Sequence, residues 1–252
     1  LKAGDRNSLA RFITGLEAGS VPPKLRDETL SRLLPGGLAE KVRLEGKRIG
    51  ETEKVEVTVV MSDIRSYSHI AEHADPSQLA GQLNTHRAAM NHAILGEGGT
   101  VMQFVGDSVM AVFGAPFAQA DHADRALSAA LGMHAAQEAI NITWTAEGLP
   151  EFGLGIGLST GPAAAALLGS EERLEYTLVG DTVNLSQRLQ TLASAGETVM
   201  SKPTRDALDH DVDAIELDPQ LVKGRDTPVI AYKILATITV VRPNSDPEVR
   251  DE

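Results

Sequence analysis

The sequence predicts an α+β domain, and two observations predict it: the order of its segments and a hairpin in their middle. Alternating β-type segments and amphipathic helical segments follow the order β-α-β-β-α-β, with further strands and helices after them. Within that order, two apolar β-type segments flank Gly106-Asp107, which is a strong signal for a two-residue hairpin. A hairpin inside a βαβ pattern indicates a ferredoxin-like βαββαβ antiparallel sheet with helices on one face, followed by C-terminal additions.

The first strand and the first helix are marked by a change in the spacing of apolar residues along the sequence. Residues 54–61 alternate and are rich in β-branched side chains, so they predict a strand that stops at residues 62–64. Asp75 and Pro76 then supply an N-cap and a proline at the first helical position. Side chains at helical spacing follow, and these are Leu79, Leu83, His86, Met90 and Ile94. After Gly98-Gly99 come the two hairpin strands, at 100–105 and 108–113.

The second half of the pattern begins at Asp121, which we expect to cap a helix that buries Leu127, Leu131 and Met133. Residues 152–158 predict a strand whose three glycines, at 153, 155 and 157, share one face and let another backbone approach closely. Residues 163–168 are ambiguous, because their alanines favour a helix and their position favours a strand. A helix at 182–193 and strands near 198–200, 212–217 and 229–235 complete the pattern.

Composition excludes several classes of protein. The 252 residues include 23 Lys and Arg against 35 Asp and Glu, a net charge of −12 that argues against a nucleic-acid binder. The absence of cysteine excludes disulfides, thiolate zinc sites and iron–sulfur clusters, and fits a cytoplasmic location. No segment is apolar enough to span a membrane and no secretory signal is visible. Because the chain opens on Leu1 rather than Met, we expect a longer protein, which could be membrane-attached and carry an upstream regulatory domain.

Three parts of the chain are expected to differ in role. Residues 1–53 read as an amphipathic helical connector, broken near Pro22-Pro23 and Pro35-Gly36. Residues 54–236 form the main domain, and the charged residues 237–252 form a loose tail.

Two acidic side chains are the main candidates for metal binding. Asp63 lies where the first strand ends and Asp107 lies in the hairpin turn, so a βαββ unit brings them to one sheet edge. Two neighbouring carboxylates repel each other unless a cation lies between them, and oxygen ligands suit Mg²⁺ or Mn²⁺. The alternative is that Asp63 is a helix cap and Asp107 an ordinary turn residue.

Five further positions, in three groups, have both a functional and a plain interpretation. Gln103 lies on the strand face of Val101 and Val105, where its amide could read a nucleotide base or could simply be exposed at a sheet edge. Asn184 and Arg188 share a helix face outside the leucine stripe, where Arg188 could stabilise charge on a reacting phosphate or the two could form a solvated pair. His69 and His73 are also four residues apart, but no third ligand is obvious, so we expect ordinary histidines.

Taken in order, these motifs closely resemble the catalytic domain of class III adenylyl and guanylyl cyclases. The matching segments are residues 59–64, 104–111 and 176–188, with 222–224 and 229–232 resembling the family's C-terminal hairpin. The resemblance covers the chain from about residue 54 to residue 236, and residues 21–50 are similar to the short transducing element that often precedes this domain.

The resemblance implies a two-metal mechanism that makes a cyclic nucleotide at a homodimer interface. It implies that Asp63, Asp107 and the Ile64 carbonyl hold two divalent cations, Mg²⁺ or Mn²⁺. It further implies that Asn184 orients the ribose, that Arg188 stabilises the pentavalent phosphorus, and that Gln103 and Thr177 read the base. It also implies that the triphosphate is bound by a backbone cradle made of Arg65, Ser66, Tyr67 and Ser68. Arg173 is a further candidate for contacting the triphosphate. In this arrangement the metals come from one chain and the other catalytic groups from its partner.

Two positions depart from the family pattern. Ser66 stands where a glycine is usual in the first loop, and Gln103 stands where adenylyl cyclases usually carry lysine. Thr177 favours adenine, whereas an amide at residue 103 can rotate to serve either base, so we expect ATP as substrate with GTP as an alternative. A catalytically silent nucleotide-binding or dimerisation module is the further alternative. Against it, both aspartates and both Asn184 and Arg188 are present.

Overall fold

The structure is a computed structural model that describes residues 52–170, 173–219 and 228–235. The helices among these residues are α1 (Tyr67–His73), α2 (Pro76–Gly96), α3 (His122–Ala146), α4 (Asp181–Leu192) and α5 (Lys202–Asp206). The strands are β1 (Thr52–Ile64), β2 (Thr100–Val105), β3 (Ser108–Phe113), β4 (Leu154–Ser170), β5 (Arg173–Val179), β6 (Glu197–Ser201), β7 (Ala214–Glu216) and β8 (Ala231–Ile234). Residues 1–51 of the predicted connector, the tail and the segment 222–224 lie outside the described residues, whereas residues 52 and 53 belong to β1.

The strand order confirms the predicted fold class. The sheet runs β2-β3-β1-β4-β6-β8-β7, and the β2-β3-β1-β4 part is antiparallel throughout. That part is the ferredoxin-like core, and the later strands are additions beyond β4. β4 is a single strand of 17 residues, so the ambiguous segment 163–168 is strand. Its first half pairs with parallel β6 and its second half with antiparallel β5, which gives the alanines ladder partners that a helix would lack.

The main hydrophobic core lies between the sheet and the helices α2 and α3, on one face as predicted. It includes Val60 and Ile156 from the sheet, Met90 from α2 and Leu127 from α3, all at most 1 % exposed. Leu83 and Leu131, which we expected inside, pack against this core but are only partly buried.

Helix α4 packs against the opposite face of the sheet, where the glycines of β4 leave room for it. A Cβ atom at Gly157 would overlap the backbone of Ser186 and Gln190 in α4. Leu185 and Leu189 of α4 are buried with Val199 of β6 on this second face. The bare glycine face of β4 is therefore the seat of the helix that carries Asn184 and Arg188.

Two details differ from the sequence predictions. A bulge between Val101 and Gln103 breaks the alternation of β2, so that Val101 pairs with Ala111 and Gln103 pairs with Met110. Ala111 and Met110 belong to cores on opposite faces, and the expected shared face of Gln103 and Val101 is therefore wrong. Asp121 occupies the N-cap position of α3, but its carboxylate accepts a bond from Arg125 Nε at 2.7 Å and caps no backbone N–H.

A buried polar chain joins the two core helices to the start of β4. Gln137 Nε2 donates to Asn141 Oδ1 at 2.8 Å, which leaves Gln137 Oε1 to accept from His86 Nδ1 at 2.7 Å. Asn141 in turn exchanges two bonds of 3.0 Å with the backbone of Phe152. His86 is therefore a donor at Nδ1 and is 1 % exposed, and burial lowers its pKa below the ordinary value for histidine.

Among the described helices, none has both the length and the apolar character that crossing a membrane requires.

The pKa of His86 predicts an acid-sensitive contribution to stability. Because the native pKa lies below the unfolded value near 6.5, the unfolded state binds the proton first as the pH falls, and stability is lost below about pH 6.5. His86→Asn keeps a donor toward Gln137 and removes this titration. We expect the loss of unfolding free energy between pH 7.5 and pH 5.5, measured by urea denaturation, to be smaller in this variant than in the wild type.

The control is the exposed His92→Asn, which should keep the wild-type pH dependence. An unchanged pH dependence in His86→Asn would show that the native state protonates His86 as readily as the unfolded chain does.

Candidate active site

Asp63 and Asp107 come together where β1 ends beside the β2–β3 turn. The register that places Ser62 opposite Val109 brings the end of β1 next to this turn. Asp107 Oδ2 accepts a bond from the backbone N–H of Ile64 at 3.2 Å, and Ser108 Oγ donates to Asp63 Oδ1 at 2.6 Å. Both carboxylates are half-buried.

The negative charges of these two neighbouring carboxylates repel each other. The pKa of Asp107 is raised to about 6, chiefly by burial and then by the hydrogen bond with Asp63 and the negative charge of Asp63. A divalent cation between the carboxylates would remove that repulsion. A half-buried set of oxygen donors fits Mg²⁺ or Mn²⁺, which favour carboxylate, carbonyl and water ligands.

The loop after β1 turns sharply at Ser66. The backbone N–H of Arg65 donates to the Gly153 carbonyl at 2.7 Å, which fixes the loop to the start of β4. Ser66 then adopts φ 58°, and its carbonyl accepts from His69 and Ile70 to begin α1. Glycine adopts a left-handed conformation without steric cost, so the serine at this position carries a conformational cost.

The other two residues of the predicted cradle differ in their surroundings. Tyr67 packs edge-on against the Phe152 ring at 6.3 Å, and burial raises its pKa, with the charge of Asp107 acting in the same direction. Ser68 is exposed. The structure therefore places the backbone of 65–68 immediately beside the carboxylate pair.

Asn184 and Arg188 lie on α4 outside the leucine stripe, as the spacing predicts. Asn184 is exposed and Arg188 half-buried, whereas Leu185 and Leu189 are buried between them and the sheet. Both polar side chains are therefore available to a ligand.

The two candidate base-reading residues are on strands that are not neighbours. Gln103 is on β2 at one edge of the sheet, and Thr177 is on β5, with β3, β1 and β4 between them in the strand order. The bulge in β2 turns Gln103 to the face of Met110, and Gln103 Nε2 lies 3.8 Å from the Met110 sulfur. Arg173 begins β5, opposite Ser170 of β4.

Several contacts at this site were missed by sequence reasoning. Ser108 orients Asp63 through its hydroxyl group. This contact could have been anticipated, because Ser108 directly follows Asp107 in the sequence. The guanidinium of Arg65 reaches Gln190 of α4, and no local pattern could have revealed that contact because 125 residues separate the partners. Glu72 joins His69 and His73 on the exposed face of α1, with one ligand atom from each within 4.8 Å of the others.

Comparison with known proteins identifies the family. The family model for the adenylate and guanylate cyclase catalytic domain matches residues 49–236. The chain belongs to this family. Its class III cyclase domain is 34 % identical over 188 residues to adenylate cyclase 1 of Rhizobium meliloti, covering 74 % of this chain and 28 % of that protein. The chain thus spans less than a third of the length of this relative.

Solved cyclase structures share the fold. The adenylyl cyclase CyaB from P. aeruginosa superposes with a TM-score of 0.71 at 31 % identity, covering 74 % of this chain and 96 % of that one. The guanylyl cyclase Cya2 superposes with a TM-score of 0.68 at 30 % identity, covering 74 % of this chain and 94 % of that one. Similarity of this kind extends to both substrate classes, so it does not choose between ATP and GTP.

The left-handed backbone of Ser66 predicts that glycine stabilises the cyclase domain. Ser66→Gly should raise the unfolding free energy by about 0.5–1 kcal/mol, because glycine adopts this conformation without steric cost. Ser68→Gly, two residues later inside α1, is the matched control and should lower stability. Urea denaturation of the three proteins makes the comparison. Equal loss in both variants would mean that Ser66 is not strained.

Proposed function

We propose that this chain is an adenylyl cyclase domain that converts ATP to 3′,5′-cyclic AMP and pyrophosphate. The observation that carries the proposal is the half-buried pair of Asp63 and Asp107 at the end of β1. In this proposal the two carboxylates and the Ile64 carbonyl hold two divalent cations, Mg²⁺ or Mn²⁺. Bound cations of this kind make the ribose 3′-hydroxyl a better nucleophile and neutralise charge on the β- and γ-phosphates.

The chain's own polar side chains then position the substrate. Asn184 orients the ribose by hydrogen bonding, and Arg188 places its fixed positive charge beside the phosphorus where negative charge develops. The backbone N–H groups of residues 66–68 bind the triphosphate, because the N–H of Arg65 already donates to the Gly153 carbonyl, and Arg173 is a further contact. A cytoplasmic cyclase would have ATP and Mg²⁺ at hand.

We further propose that each active site is shared between two copies of the chain. The carboxylates of one chain face α4, Gln103 and Thr177 of its partner. Exposed apolar side chains support a covering partner. Phe104 and Val105 follow Gln103 on β2, and Val179 ends β5 near Thr177, with exposures of 36 %, 59 % and 54 %. A two-fold homodimer would then contain two equal sites.

GTP is the second candidate substrate, because the side chain of Gln103 can serve either base. Adenylyl cyclases usually carry lysine here, whose donors suit the adenine N1 acceptor, whereas the amide of Gln103 offers either a donor or an acceptor. Thr177 favours adenine, and adenylate cyclase 1 of Rhizobium meliloti is a relative with the matching name. The silent-module alternative would leave the four polar groups at 63, 107, 184 and 188 without a use.

Activity should require both carboxylates. Asp63→Asn and Asp107→Asn keep the side-chain volume and remove one negative charge each, so we expect kcat to fall by about a hundredfold or more with Mg²⁺ or Mn²⁺. Asp121→Asn removes a carboxylate that pairs with Arg125 and is the control, with activity unchanged. Near-normal turnover in either of the first two variants would exclude the metal assignment.

Mixing two inactive variants should restore activity. Asp63→Ala and Arg188→Ala chains should each be inactive as homodimers, whereas their heterodimer has one site that lacks both groups and one that is complete. Purification through two different affinity tags isolates that heterodimer, and we expect about half of the wild-type activity per dimer. An inactive heterodimer of proven composition would show that the site is not divided between chains in this way.

Substitutions at the base-reading positions should change the substrate preference. We expect ATP to be preferred with measurable GTP turnover, because a mismatched polar group at Gln103 costs about 1–3 kcal/mol, and an amide can rotate to avoid part of that cost. Gln103→Lys should increase the ratio of kcat/KM for ATP over GTP. Gln103→Glu with Thr177→Cys should decrease it. A ratio that stays constant across these variants would mean that Gln103 does not contact the base.

A further inference from the structure

The side chain of Arg65 joins two parts of the cyclase domain that have separate tasks. Arg65 follows directly after β1, and its Nη1 lies 3.6 Å from Asp63 Oδ2. Its Nη2 donates to the Gln190 carbonyl near the end of α4 at 2.6 Å. One guanidinium therefore contacts a carboxylate of the metal pair and the helix that carries Asn184 and Arg188.

The path of this side chain is built into the sheet. Arg65 crosses β4 at Gly155, where any Cβ atom would overlap the guanidinium. Gln190 is 6 % exposed, and its amide is satisfied when its oxygen accepts from Arg65 Nη1 at 3.0 Å and its nitrogen donates to Gln187 O at 3.2 Å. The end of a helix also favours a positive charge. The Arg65 side chain is therefore held by specific contacts with Asp63 and Gln190 rather than lying free on the surface, and it is 24 % exposed.

We propose that Arg65 is a positioning residue that couples the two active sites of the dimer, an inference that rests on the shared sites proposed above. Within one chain, Asp63 serves one site and Arg188 serves the other. Arg65 contacts both parts, and it thereby fixes α4 relative to the end of β1. Arg65 therefore holds the carboxylates that serve one site and the helix that serves the other in one fixed geometry.

The heterodimer of Asp63→Ala and Arg188→Ala chains separates the two roles of Arg65. Its single complete site takes the carboxylates from the Arg188→Ala chain and α4 from the Asp63→Ala chain. Arg65→Met, which keeps the length of the side chain and removes its donors, is placed in either chain in turn. Arg125→Met, placed in the same two chains, is the control because Arg125 pairs with Asp121 at the start of α3.

Each placement of Arg65→Met should lower kcat of the complete site by about tenfold with a smaller change in KM, because misplaced groups react slowly even when substrate still binds. Arg65→Lys, which can still reach the Gln190 carbonyl with one ammonium group, should recover part of the loss. A loss in one placement only would overturn the proposal, since Arg65 would then act on the carboxylates alone or on α4 alone. Full activity in both placements would overturn it as well.

A second measurement reports position without activity. Because the chain has no cysteine, spin labels can be attached at Ser77→Cys on α2 and Gln187→Cys on α4, and diluted with unlabelled chain. Arg65→Met should broaden or shift the distance distribution, and Arg125→Met should not. An inactive parent heterodimer would reject the proposal of shared sites, but the distances would still test Arg65. An unchanged distance distribution in Arg65→Met would reject the positioning role of Arg65.

Discussion

Two half-buried carboxylates, Asp63 and Asp107, are held together at the end of β1 against their own repulsion. The pairing of β1 with β3 forces this proximity, since it leaves the hairpin turn beside the last residues of β1. The Ile64 N–H and the Ser108 hydroxyl each satisfy one oxygen, yet the pKa of Asp107 still rises to about 6 through burial and the neighbouring acid. A cation between the two carboxylates would relieve this repulsion, and that gain is the physical basis of the proposed chemistry.

The second constraint is the close approach of α4 to β4. Gly157 admits the backbone of α4 and Gly155 admits the Arg65 side chain, so the glycine face both seats the helix and connects it to the carboxylate pair. The buried residues on the inner side of α4 leave Asn184 and Arg188 on its outer side. A chain built in this way connects the carboxylate pair to the helix that carries Asn184 and Arg188, with apolar side chains exposed beside Gln103 and Thr177.

Much of this arrangement could be predicted from local sequence, and the rest depends on distant contacts. The alternation at 54–61, the Gly-Asp turn and the Asp75 cap each act within a few residues, so the core strands and α2 were foreseen. The ambiguous alanines at 163–168 became strand because β1 and β5 offer ladder partners, which no local propensity encodes. The bulge that turns Gln103 and the reach of Arg65 to Gln190 arise from strand register and tertiary packing, so the sequence contained no short-range signal for them.

The most direct test of the account is the number of Mn²⁺ ions bound with a nucleotide that cannot cyclise, such as 3′-deoxy-ATP. Electron paramagnetic resonance of the wild-type dimer should show two Mn²⁺ per bound nucleotide with the spin coupling of neighbouring ions, because both ions share Asp63 and Asp107. Asp107→Asn should lose the coupled signal while keeping its fold. A coupled pair that persists in Asp107→Asn, or wild-type protein that binds only an isolated ion, would contradict the claim that these carboxylates form the metal site.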